Sequence, residues 1–176
     1  MAVPAVISDA EIAELEPVLR AYAIRAVGDI DAAGDLVQET LLAALAGRTR
    51  FAGRARLRTW CIGILTHKVM DLFRARHRER LVPPDEHSVD DLAEPTEQRP
   101  DRDAAGRQAL SVLDAAIREL PELERLAVLL VDVEGFDRAE ACAKLAITAN
   151  HLRVLLHRAR HRLRRRLERA GVSDGS

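Results

Sequence analysis

The sequence has very few aromatic residues: three Phe, one Tyr and one Trp among 176. Its core must therefore be aliphatic. Cysteine is as scarce, and Cys61 and Cys142 each fall inside a helical pattern. Two buried thiols are expected, not a disulfide. Runs of β-branched residues are missing, which removes the usual signal for strands. Ala, Leu, Arg and Glu dominate instead, and these favour helix. An all-α fold is expected. No apolar run reaches the ~18 residues of a membrane-crossing helix, and the start carries no signal-peptide pattern. A cytoplasmic chain without membrane insertion follows. The chemistry of a catalyst is also missing. There is no phosphate-binding Gly loop, no HExxH and no nucleophile elbow. No catalytic residue, cofactor or metal is assigned, and the chain does not read as an enzyme. His157 and His161 lie one helical turn apart, but no third ligand is evident.

What the sequence does have is charge in blocks. The net charge is −1, yet residues 1–47 sum to −6, 48–80 to +8, 81–107 to −5, 108–147 to −4 and 148–176 to +6. Two separate basic blocks in a near-neutral chain point to two contacts with one polyanion. DNA is the first candidate.

The first basic block is the centre of the chain. Residues 51–80 read FAGRARLRTWCIGILTHKVMDLFRARHRER. A Gly-containing loop carries Arg54, Arg56 and Arg58. A helix follows, with Trp60, Cys61, Ile64, Leu65, Val69, Leu72 and Phe73 on its apolar face. His67, Asp71, Arg74 and Arg78 share the opposite face. A helix needs only one buried stripe, so these cations point outward.

Upstream, Ser8 and Glu11 form a capping box for a first helix running to about Val27, where Gly28 breaks the pattern. Asp29 or Asp31 starts a second helix that Gly47 ends. Leu36, Val37, Leu41, Ala44 and Leu45 give its apolar side. Asp35, Gln38 and Glu39 lie on the other side, which periodicity alone reads as a solvated face. Residues 81–107 then hold four Pro, eight acids and few hydrophobics. They read as a flexible linker between two helical modules, 9–80 and 108–170. Fully extended at ~3.3 Å per residue, it would span up to ~90 Å.

In the second module, Leu110, Leu113, Ala116, Ile117 and Leu120 make one amphipathic helix. Pro121 interrupts it. Leu123, Leu126, Ala127, Leu129, Leu130 and Val133 continue the core to Gly135. A short helix over 137–145 and a tight turn at Ala146-Ile147 come next. Thr148 then caps a long basic helix. Leu152, Leu155, Leu156, Ala159, Leu163 and Leu167 form its buried stripe. This is a helix-turn-helix arrangement, whose second helix presents its first turns to the major groove. Asn150, His151, Arg153, Val154 and His157 would face the groove. Arg164, Arg165 and Arg166 would grip phosphate further along.

The order DLVQETLLAAL, FAGRARLRTWCIGILTHKVMDLFRAR, an acidic linker and LPELERLAVLLVDVEGFDRAEACAKLAITANHLRVLLHRARHRLRR resembles an extracytoplasmic-function sigma factor. The resemblance covers most of the chain. It implies regions 2 and 4 of a bacterial initiation factor, binding the β′ clamp and β flap of core RNA polymerase and promoter DNA. It implies that Asp35, Gln38 and Glu39 dock on the polymerase clamp. It places Phe51, Arg54, Arg56, Arg58 and Trp60 on a loop that captures an extruded −10 base. It places His67, Lys68, Asp71, Arg74 and Arg78 on the −10-reading helix. Thr148, Asn150, His151, Arg153, Val154, His157 and Arg158 match the start of the −35 helix. An anti-sigma factor is implied as a further partner, a zinc-binding one being among the forms it can take. In this family Leu42 and Leu45 often give way to aromatics. An ordinary helix-turn-helix repressor or activator would account for the second module but not the first.

Overall fold

The structure is a computed structural model that describes residues 7–51, 53, 55–80 and 104–171, with only the backbone of Arg50 and of residues 104–109. Arg54 lies outside the described residues, as does most of the expected linker. Among the described residues all regular structure is helical. The chain divides into two compact units.

The first unit contains α1 (Asp9–Ala13), α2 (Glu16–Val27), α3 (Ile30–Gly47), a short 3₁₀ turn (Arg48–Arg50) and α4 (Leu57–Arg80). Ser8 caps α1 as expected. Its hydroxyl accepts from the Glu11 backbone N–H at 3.2 Å, and its own N–H donates to the Glu11 carboxylate at 2.8 Å. Those bonds hold the Glu11 carboxyl below its ordinary pKa. The expected single helix to Val27 is instead two. Pro17 sits at the start of α2 and cannot donate back to the carbonyl of Ala13, so the chain turns at Glu14 and Leu15. Gly28 ends α2 with φ of 75°, a left-handed conformation that suits glycine. Asp29, rather than Asp31, caps α3, accepting from the N–H groups of Asp31 and Ala32 at 2.9 and 3.1 Å.

Helices α2, α3 and α4 pack around one aliphatic core, with Leu19, Ala23, Val37, Ala44, Ile62, Leu65 and Val69 all but fully buried. Its polar exceptions are partnered. Thr40 donates to the Leu36 carbonyl at 2.7 Å, and Thr66 donates to the Ile62 carbonyl at 2.8 Å. Buried hydroxyls need such partners because leaving them unpaired costs more than the bond yields.

The second unit contains α5 (Ala104–Arg118), α6 (Glu122–Val128), a π-helical turn (Leu129–Val133), α7 (Arg138–Leu145) and α8 (Ala149–Arg169). Helix α5 starts four residues ahead of the expected module boundary. Pro121 is the N-cap of α6. The Arg125 guanidinium, half-buried, donates twice to the Leu120 carbonyl, at 3.2 and 2.8 Å, closing the end of the preceding segment. Two residues expected in the core are exposed. The extra residue in the π turn shifts the helical phase and swings Val133 outward. Leu110 stands ~9 Å along α5 from Ala116, where that helix meets α8, and it also faces out.

Candidate nucleic-acid interface

In the first unit, the loop between α3 and α4 is pinned at both ends by aromatic packing. The Phe51 and Trp60 rings lie 5.2 Å apart, tilted by 55°. The Trp60 ring also lies against the end of α3, where a Cβ on Gly47 would meet it at 3.5 Å. Phe51 is only 9% exposed, so in the free chain its ring anchors the loop. The cause is apolar burial against Trp60 and its surroundings. Gly53, with φ of 65°, lies exposed at the bend, and Arg56 and Arg58 are exposed beside it.

Along α4, His67, Asp71, Arg74 and Arg78 share an exposed face, as the spacing requires. The His67 ring Nδ1 lies 2.9 Å from the Gly63 carbonyl oxygen. A carbonyl only accepts, so Nδ1 carries the proton and Nε2 is left to face outward. Arg74 donates to Asp71 at 2.8 Å. Lys68 is not free. Its ammonium donates to the Glu39 carboxylate on α3 at 2.9 Å, and its side chain is 26% exposed.

Asp35, Gln38 and Glu39 form an exposed stripe on α3. Leu42 continues that stripe at helical spacing and is 67% exposed, among the most exposed large apolar side chains described. The sequence reading leaves Leu42 out of this surface. Its position seven after Asp35 and three after Glu39 was the available signal.

In the second unit, Asp137 caps α7 in a capping box with Glu140. Ala146 takes the left-handed conformation, φ of 53°, that turns the chain toward α8. Glycine usually fills such a position, and an alanine there costs about 1 kcal/mol or more. Thr148 caps α8, accepting from the His151 N–H at 3.2 Å. Asn150, His151, Arg153, His157 and Arg158 are exposed over the first turns, and Val154 is half-buried. Leu152, Leu155, Leu156 and Ala159 are buried beneath them. The Arg153 guanidinium donates to the Asn150 side chain at 3.0 Å, so two of the expected base readers already touch.

The far half of α8 departs from expectation. Arg160 grips Asp132 through bonds of 3.0 and 2.6 Å. Arg166 grips Glu119 through two bonds of 3.1 Å. Arg162 Nε lies 3.1 Å from Oε2 of the buried Glu124, although the approach is too oblique for a good hydrogen bond. Three of the eight arginines of α8 therefore answer acids of their own unit. Arg166, expected on phosphate, is one of them. All three acids, Glu119, Glu124 and Asp132, come from the acidic block at 108–147. Arg153, Arg158, Arg164, Arg165 and Arg169 have no ion-pair partner among the described residues. No group of three potential metal-ligating side chains occurs among the described residues.

The family description Sigma-70 region 2 matches residues 12–79, and Sigma-70 region 4 matches residues 110–163. The chain is 35% identical over 156 residues to the ECF RNA polymerase sigma factor SigF of Caulobacter vibrioides, covering 86% of this chain and 80% of that relative. The chain belongs to the ECF sigma factors. It is also 33% identical over 158 residues to the sigma factor EcfG of Rhodopseudomonas palustris, covering 90% and 83% of the two chains. Among solved structures, the sigma factor RpoE of Bartonella quintana, crystallised with the anti-sigma factor NepR, has 29% identity and a TM-score of 0.70. That match covers 90% of this chain and 95% of the other. CnrH, solved with the cytosolic domain of CnrY, shares the fold, with a TM-score of 0.55 and 22% identity. As a sigma factor, this chain acts with core RNA polymerase on promoter DNA. A separate helix-turn-helix regulator is not favoured, because the region 2 match has no place in it. Among the described residues, no helix is long and apolar enough to cross a membrane.

Proposed function

We propose that residues 9–80 dock on polymerase and read the −10 element, that 81–107 link the modules, and that 108–170 bind the −35 element. The observation that carries this reading is the pairing of one exposed stripe on α3 with two separate basic surfaces. Asp35, Gln38, Glu39 and Leu42 contact the β′ clamp. Arg56 and Arg58, with Arg54, grip phosphate around a loop whose ends Phe51 and Trp60 hold rigid. Extruding a base costs a few kcal/mol, and a preformed loop avoids adding an ordering cost to it. His67, Asp71, Arg74 and Arg78 face the opened −10 strand. Asn150, His151, Arg153, Val154, His157 and Arg158 face the −35 groove, and Thr148 orients the helix end toward a phosphate. The β flap holds the second unit. The protein has no catalytic activity of its own and works in the cytoplasm. An anti-sigma factor, zinc-binding in one form of such partners, restrains it by covering these surfaces.

The test is run-off transcription with purified core polymerase over a library of promoter variants. The expected result is transcription that needs both chain and core and depends on a defined −35 and −10 sequence. Transcripts with no such dependence would reject the reading.

A further inference from the structure

The ion pair between Glu39 and Lys68 joins two surfaces that the sequence keeps apart. Glu39 belongs to the exposed stripe of α3, with Asp35, Gln38 and Leu42. Lys68 follows His67 on α4 and precedes Asp71 by one turn. Their 2.9 Å contact crosses from one helix to the other. Lys144 belongs to the other unit, so Lys68 is the first unit's only lysine among the described residues. A lysine is a compact point charge. While its ammonium sits on a carboxylate, the pair presents no net charge to a phosphate. Arg74 is different, because its partner Asp71 lies on its own helix and on the same outer face.

We propose that Glu39 is a positioning residue that withholds Lys68 from DNA in the free chain. Contact of the α3 stripe with core polymerase engages Glu39 and releases Lys68 to the −10 strand. The inference rests on the docking and −10 assignments proposed above. It makes docking and DNA binding mutually reinforcing, since DNA that draws Lys68 away also frees Glu39 for polymerase. Glu39 is 60% exposed at its side chain, so the pair is a weak latch that a partner can open.

The test uses the full chain in four forms: wild type, Glu39→Gln, Lys68→Ala and the double variant. Each is titrated without polymerase against a fluorescent single-stranded DNA of mixed sequence at low salt. Glu39→Gln is expected to tighten binding by roughly two- to fivefold. It should also steepen the salt dependence by ~0.7 of a log unit per log unit. Both gains should vanish in the Lys68→Ala background. An equal gain in both backgrounds means Glu39 only repels phosphate, and it overturns the proposal, as does no gain at all. A second arm compares wild type with Lys68→Ala bound to core polymerase on a promoter chosen by run-off transcription. There Lys68→Ala should weaken binding by more than it does in the free chain. If core polymerase brings the wild type no promoter binding, the underlying functional reading fails. If it does, and the free-chain cycle is flat, only the Glu39 proposal fails.

Discussion

Tyr22 on α2 donates its hydroxyl proton to Thr66 on α4, across 44 residues of sequence and 2.9 Å of space. The direction follows from counting protons. Thr66 has one hydroxyl proton and spends it on the Ile62 carbonyl at 2.8 Å, so it can only accept from Tyr22. The bond is buried and ties α2 to α4, the helix proposed above to face the −10 strand. Tyr22→Phe keeps the ring and should cost about 1 kcal/mol. Urea denaturation should show a lower midpoint with an unchanged slope; an unchanged midpoint contradicts this role.

The two thiols should behave differently. Burial pushes the Cys61 thiol up to about 11, whereas Cys142 is half-buried. At pH 8 almost no Cys61 is thiolate, and the thiolate is the reactive form. A disulfide-based thiol reagent should modify Cys142 first in the native protein and both cysteines after denaturation. Mass spectrometry of the labelled peptides checks the order, and equal native rates would refute it.

On α3, Leu42→Asp should weaken binding to core polymerase by roughly tenfold or more, since burying a leucine at an interface contributes about 1.5–3 kcal/mol. The fold should survive, because Leu42 is 67% exposed. Asp35→Ala with Gln38→Ala should act in the same direction. Circular dichroism with a titration of labelled core separates the two effects. Unchanged affinity for core in both variants removes the docking surface from α3.

On α8, the arginines should divide by what they touch. Arg153→Ala should cost about 1–3 kcal/mol on the preferred −35 sequence and flatten the preference at one position, because its fork can pair with guanine. Arg165→Ala should weaken binding evenly across sequences. Arg160→Ala should lower thermal stability modestly, through loss of its two bonds to Asp132, and leave base preference intact. Binding to a panel of −35 variants, with thermal melts, distinguishes the three. A base preference that survives Arg153→Ala unchanged would displace the reader to another residue.

The features that the sequence made legible are those set by neighbours along the chain. Ser8, Asp29 and Thr148 cap helices because a short side chain meets an N–H two or three residues on. Gly28 and Gly135 end elements through their own backbone freedom. Pro17 is a local signal for the split between α1 and α2, since it has no N–H to continue the first helix. Other features depend on packing between distant helices. Nothing near Arg160 or Arg166 points to Asp132 or Glu119, and nothing near Lys68 points to Glu39. Phe51 reads as an exposed loop aromatic in the sequence, and only the packing of Trp60, one element later, shows its ring to be buried. The π turn at 129–133 has no local signal, and it alone decides that Val133 faces out.

The pairing of Arg160, Arg162 and Arg166 with acids has a consequence for how the second unit approaches DNA. The far half of α8 is partly neutralised, while Arg153, Arg158 and the positive helix end at Thr148 are not. Arg164, Arg165 and Arg169 have no such partner either, so the charge left over is spread along α8 as five separated cations rather than a run of eight. A polyanion would then meet fewer loose cations than the sequence suggests, which limits sequence-independent attraction and leaves more of the selectivity to short-range contacts.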